Sequence, residues 1–275
     1  MFFNGNVFSG SQVIINGRVI NGGETVKLKK YDEKKSEEVK GDMKKLSIES
    51  TFADVNIYAS KSSKVEAHLY GEASLDRDIK IDVQCKGNEI LVVTKYNGNC
   101  YGGKLYLDIT MPYKTFKEIV TIGSSADITL NDGISTERIK IRTSSGDVIL
   151  NQGVWAKNIK VQTSSGDVKL NEGVSAQYIE VKTSSGDIET NATFTTADIS
   201  ATSGDINLYI DADNDIDVDV SATSGDISAK FDNIGHINLS TRAMSGDVKN
   251  RHKGGNFGYT ANVEISTMSG DIKIK

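Results

Sequence analysis

The chain has 275 residues, a formal charge of -5 and a pI near 5.4, which excludes a general electrostatic attraction to nucleic acid or an anionic membrane surface. With 26 Gly, 1 Pro, 7% aromatic and 37% hydrophobic residues it is a folded chain, and its many Ser, Thr, Val and Ile residues favour strands and turns over packed helices. Cys85 and Cys100 are too few for a disulfide framework and lie in no metal or redox spacing, so they either pair or stand as two thiols.

Residues 1 to 45 read as a lead-in. Phe2 and Phe3 give way at once to Asn4, Gly5 and Asn6, so no apolar signal-peptide core is visible, and the default expectation is a cytoplasmic protein. No stretch approaches the roughly 18 apolar residues of a spanning helix, so no membrane insertion is expected. Asn16-Gly17 and Asn21-Gly22-Gly23 flank Arg18-Val19-Ile20, so residues 1 to 23 read as a short hairpin or an ordered lead-in. Residues 27 to 45, where Lys27, Lys29, Lys30, Lys34 and Lys35 are interleaved with Asp32, Glu33, Glu37 and Glu38, read as a solvated charged loop.

Residues 46 to 116 carry a weaker β pattern. Phe52-Ala53-Asp54-Val55-Asn56-Ile57 looks like a decayed turn plus strand, Ile79, Ile81 and Val83 alternate with Lys80, Asp82 and Gln84, and Leu105, Leu107 and Ile109 lead to the only proline, Pro112. These predict irregular coils that cap the C-terminal half of the chain.

From residue 117 to 275 the chain is a repeat. Ser-Gly-Asp recurs at Gly146-Asp147, Gly166-Asp167, Gly186-Asp187, Gly204-Asp205, Gly225-Asp226, Gly246-Asp247 and Gly270-Asp271, in steps of 18 to 24 residues, with Ser125-Ala126-Asp127 as a degenerate earlier copy. Before each turn, Ile139, Ile141 and Thr143 alternate with Lys140 and Arg142, and the next two copies repeat this with Ile159, Val161 and Thr163, then Ile179, Val181 and Thr183. After it come Val148 and Leu150, Val168 and Leu170, then Ile188. Asn151-Gln152-Gly153 and Asn171-Glu172-Gly173 supply a second corner. A coil of about 20 residues is too short for a βαβ unit and cannot bury its apolar face alone, so coils must stack at about 4.8 Å by parallel pairing. The predicted fold is all-β: a single-stranded right-handed β-helix of about 20-residue coils with an irregular N-terminal section, continuous over 46 to 275. Eight copies make a rod of about 35 to 40 Å, with Lys273 and Lys275 expected to discourage strand addition at its far end.

The glycines and aspartates of the seven turns are read as structural, each Asp accepting backbone N–H groups of its own turn with help from the Ser hydroxyls. A cation column is the competing reading, but one Asp per coil supplies few of the six to eight oxygens calcium takes. Asp211, Asp213, Asp215, Asp217 and Asp219 fail the EF-hand pattern, since Ile216 stands where Gly is needed; they read as one acidic face with Ile216, Val218 and Val220 facing in. Arg138-Ile139-Lys140 matches a tripeptide of pectin-cleaving hydrolases without its acidic partners, and His68, His236 and His252 share no ligand spacing. No catalytic residue, metal or cofactor is expected. Trp155 and Tyr178 are candidate ligand contacts, and Phe231, Phe257 and Tyr259 fit a covering role near the C-terminal end.

Over residues 46 to 275, the Gly-Asp-like turns, the strand Leu105 to Met111 ending at Pro112 and the serial Ser-Gly-Asp-Val/Ile turns resemble the bacterial putative-adhesin family of unknown-function domains, relatives of auto-transporter adhesin head domains. The resemblance implies a right-handed β-solenoid without established catalytic residues, placed at the cell surface. The functional expectation is a non-catalytic scaffold binding a protein or glycan of the cell envelope, with a carbohydrate-active β-helix enzyme or an intracellular scaffold as alternatives. Oligomeric state is not readable from the sequence.

Overall fold

The computed structural model describes residues 13–15, 18–20, 27–41, 43–113, 116–212, 214–252 and 258–275. Apart from the antiparallel pair Val13–Ile15 with Arg18–Ile20, the predicted hairpin, its strands form two sheets of 11 and 12 strands. Among the described residues there is no helix, and hence none long and apolar enough to cross a membrane.

The sheets are the two walls of a stack of windings. Each regular winding gives a nine-residue strand to one wall, as in Ser135–Thr143, Trp155–Thr163 and Ser175–Thr183. A three-residue strand goes to the other, as in Val148–Leu150, Val168–Leu170 and Ile188–Thr190. Neighbours pair in parallel with like residues in register: Ile139 on Ile159 on Ile179, and Val148 on Val168 on Ile188. The period-two pattern therefore becomes continuous internal files. One runs Ile90, Leu46, Ile119, Ile139, Ile159, Ile179, Ala197, Val218, Val263, Leu239, and the other Leu107, Val55, Ile128, Val148, Val168, Ile188, Ile206, Ile227, Ile272, Val248. Ten windings at about 4.8 Å separate the first and last by roughly 43 Å.

The order of stacking departs from chain order at both ends. The first winding, Lys45–Ser50 with Asp54–Ser60, lies second, between the Glu89–Thr94/Cys100–Pro112 winding outside it and the Glu118–Gly123/Ile128–Leu130 winding inside it. At the opposite end the chain's last winding, Tyr259–Ser269 with Ile272–Ile274, sits between Ile216–Ser224/Ile227–Asp232 and the outermost Ile234–Ser245/Val248–Asn250. Lys273 thus lies on an inner strand and ion-pairs with Asp226 at 3.3 Å; neither it nor Lys275 guards the edge, contrary to expectation.

The N-terminal end is closed by antiparallel strands. Lys64–Leu75 pairs with Cys100–Pro112, Lys29–Glu38 pairs with Lys64–Leu75, and Asp82–Lys86 covers Glu89–Thr94. The segment read as a charged loop is therefore a ten-residue edge strand, held by a long backbone ladder rather than an apolar face of its own. Ile79 and Ile81 are buried as their alternation suggests, but the strand begins only at Asp82, after an irregular stretch.

Candidate binding face

The Ser-Gly-Asp turns form one corner of every regular winding, and their geometry explains each residue type. A Cβ built on Gly166 would lie 1.9 Å from the carbonyl oxygen of Gly146, and one on Gly186 would lie 2.0 Å from that of Gly166; only a hydrogen fits where one backbone rests on the next. Thr143, Thr163 and Thr183, which the sequence pattern marks only as inward-facing, are buried beside these glycines. Thr163 Oγ1 accepts the Gly166 N–H at 3.1 Å and donates to the Gly146 carbonyl at 3.4 Å. The signal for them was the threonine three residues before Gly146, Gly166 and Gly186.

The aspartates form a hydrogen-bonded ladder, but across windings rather than within a turn. Asp54 Oδ1 accepts the Asp127 N–H, and the series continues through Asp147, Asp167, Asp187, Asp205, Asp226, Asp271 and Asp247; its bonds, each from a backbone N–H to the carboxylate of an adjacent winding, measure 2.8 to 3.1 Å. A charge-assisted bond to the neighbouring backbone offsets the repulsion between stacked carboxylates. The backbone N–H of Asp271 and then the Lys273 ammonium hold Asp226 below the usual carboxylate range, whereas burial raises Asp54 in spite of Lys104 at 2.6 Å. Among the described residues no group of three or more His, Cys, Asp or Glu side chains is arranged to hold a metal ion. At the second corner Asn131, Asn151 and Asn171 form a shorter amide ladder, with bonds of 3.0 and 2.9 Å.

The outward face of the long-strand wall carries the chemically varied surface. Its central file reads Leu91, Ser47, Val120, Lys140, Lys160, Glu180, Asp198, Asp219, Glu264, Ser240. A start carrying Leu91, Val120 and the 45% exposed Ile122 passes into a basic block of Arg138, Lys140, Arg142 and Lys160, two of which, Arg138 and Lys140, pair with Glu118 at 3.6 and 3.2 Å, then into an acidic block of Asp198, Asp217, Asp219 and Glu264. Each block lines a shallow hollow. Where they meet, Lys160 pairs with Glu180 at 2.7 Å and Lys182 bridges Glu180 and Asp198 at 3.2 and 3.0 Å. The Lys160 hydrogen bond draws Glu180 below its ordinary range, and the Asp198 bond draws Lys182 above its own. Desolvation, with Asp198 and Glu264 stacked on either side, pushes Asp219 up.

Trp155 and Tyr178 lie on adjacent windings, but Trp155 is in register with Ser175, three strand positions from Tyr178, and they are not among the described ring contacts. Trp155 is 42% exposed at the strand's start, and burial raises the Tyr178 phenol. The acidic cluster is divided rather than shared on one face. Asp211 ends a strand of the other wall, Asp215 accepts the Thr260 N–H at 2.7 Å, and Asp217 and Asp219 lie on the long-strand face, with Ile216, Val218 and Val220 inward as expected. Phe231 is buried and stacks edge-on against His252, while Tyr259 is 41% exposed; Asp213 and Phe257 lie outside the described residues.

Several solved structures share this fold. Among them are a putative adhesin from Bacteroides fragilis (20% identity, TM-score 0.55, 90% of this chain and 97% of that one), a putative lipid binding protein from Parabacteroides distasonis (18%, 0.57, 89% and 97%) and a putative adhesin from the same organism (15%, 0.59, 90% and 97%). No curated protein is detectably similar to the chain. The Toastrack DUF4097 family matches residues 43–275, and the chain belongs to that family.

Proposed function

We propose that the chain is a non-catalytic, adhesin-like binding scaffold: a right-handed solenoid of about 20-residue coils whose long-strand face engages a protein or glycan of the cell envelope. The observation that carries this reading is the sorting of that face into an apolar patch, a basic block and an acidic block on a rigid hydrogen-bonded wall. A backbone already ordered by pairing loses little further entropy on binding, and opposed blocks of charge orient a partner along the axis. The turn glycines, aspartates and threonines belong to the scaffold, since their hydrogen bonds are spent within the turn and on neighbouring windings.

A glycan and envelope-protein array, with anionic phospholipid vesicles as a separate arm, tests the proposal. The double variant Lys140→Glu/Arg142→Glu is expected to weaken the bound partner by about tenfold or more. A partner equally tight for variants of both the basic and the acidic block would remove this face from the function. Turnover of a polysaccharide would replace the scaffold with an enzyme.

A further inference from the structure

The C-terminal end of the stack leaves a long strand edge open. Among the described residues, nothing pairs with the outer side of Ile234–Ser245, and the two internal files surface there: Val248 is 44% exposed, and Ile237, Leu239 and Ala243 are only partly buried. Four of the nine exposed large hydrophobics among the described residues, Met244, Val248, Tyr259 and Met268, lie in the last two windings, Met244 at 67%. An edge of this length and composition is a template for strand addition.

The edge also lacks what such edges use to repel partners. Its twelve residues, IGHINLSTRAMS, include a single Lys, Arg, Asp or Glu, namely Arg242, whereas the edge strand of the other wall at the opposite end, KKYDEKKSEE, is charged at eight of its ten residues. Head-to-tail addition would bring the open edge against the far edge of its own sheet, Asp82–Lys86, whose five residues are too few to pair with its twelve. Head-to-head addition meets no such obstacle. The Ser245 carbonyl accepts the Gly270 N–H at 2.9 Å, so odd-numbered residues bond inward, and by strand alternation His236, Asn238, Ser240, Arg242 and Met244 turn their N–H and C=O groups outward.

We infer that this edge joins a second copy of the chain in a head-to-head dimer about a two-fold axis through Ser240, the two strands running antiparallel. That register sets His236 opposite Met244, Asn238 opposite Arg242 and Ser240 opposite itself on the outer face, with Ile237 opposite Ala243 and Leu239 opposite Thr241 inside. No like charges face each other, and the apolar files continue across the joint. The interface is isologous and consumes the open edge on both copies, so assembly stops at two. If the long-strand face is the binding face proposed above, the dimer presents it twice on one side of a rod of double length, which raises avidity without a new contact.

Sedimentation velocity on the full chain across a wide concentration range tests this. A monomer–dimer equilibrium is expected. Ser240→Pro removes an outward N–H that no winding uses and should weaken dimerisation by about tenfold or more with an unchanged circular dichroism spectrum. Asn238→Lys, placed opposite Arg242, should weaken it, and Asn238→Asp should strengthen it. A monomer at every concentration, a species that grows beyond two copies, or two Asn238 variants that shift association in the same direction or not at all would each overturn the inference.

Discussion

The two ends of the stack solve the same problem in opposite ways. At the N-terminal end the outermost members of the internal files, Ile90 and Leu107, are as inaccessible as the centre, because Lys64–Leu75, Lys29–Glu38 and Asp82–Lys86 turn antiparallel and cover them. At the C-terminal end the corresponding members, Leu239 and Val248, are exposed to differing degrees. A solenoid tolerates this asymmetry because its stability is close to a sum of winding and neighbour terms, so a poorly covered last winding costs only its own share.

That contrast makes graded predictions. The largest effect belongs to the middle of the stack: Gly166→Ala forces a methyl onto the Gly146 carbonyl with windings fixed on both sides, and should cost about 3 kcal/mol or more in denaturant melts. Gly246→Ala meets the Gly270 carbonyl at 2.0 Å on a winding free to move outward, but its φ of 139° adds backbone strain, so it should cost less than Gly166→Ala by only about 1 kcal/mol. Next, Leu69→Ala in the closed end, where Leu69 pairs with Leu107 and is fully buried, should cost about 3 kcal/mol, against about 1 for Leu239→Ala at the open end. Equal costs for these leucines would mean that the open end is covered.

The aspartate ladder sharpens the comparison further. Asp167 accepts the Asp187 N–H, so Asp167→Ala should cost about 1 to 2 kcal/mol, whereas the Asp247 carboxylate tops the ladder and Asp247→Ala should fall within about 0.5 kcal/mol of zero. The smallest effect is at Asp219. Its folded pKa is raised, so the folded state holds this proton more tightly than the unfolded chain, and the ionised carboxylate lowers stability once pH exceeds that folded value. Asp219→Asn should therefore raise Tm by about 1 °C at pH 7, and the gain should fade to nothing below about pH 3, where the side chain is largely neutral in both states.

The regular windings were legible because from Ile139 to Ile188 the inward files repeat aliphatic residues every 20 positions, with Ser-Gly-Asp at one corner and Asn-x-Gly at the other. The order of the end windings was not. Tyr259–Ser269 and Ile234–Ser245 carry interchangeable alternations, so either could lie outermost without changing which side chains face in. The strand Lys29–Glu38 was hidden for the opposite reason: its identity rests on backbone pairing, and its side chains show no apolar alternation. On the binding face, the charged residues were visible singly, but their assembly into blocks depends on registers with offsets of 18, 20, 21 and 45 residues, which only the stack reveals.

The inserted last winding is the most direct point of attack, because stacking in chain order and the observed order place different residues beside Asp219. With Cys85 and Cys100 replaced by Ser, the pair Asp219→Cys/Glu264→Cys, adjacent in register, should oxidise to a disulfide in the folded chain, and Asp219→Cys/Ser240→Cys, two spacings or about 9.6 Å apart, should not. A disulfide in the second pair and not in the first would place Ile234–Ser245 inside the stack and contradict the account of the open end.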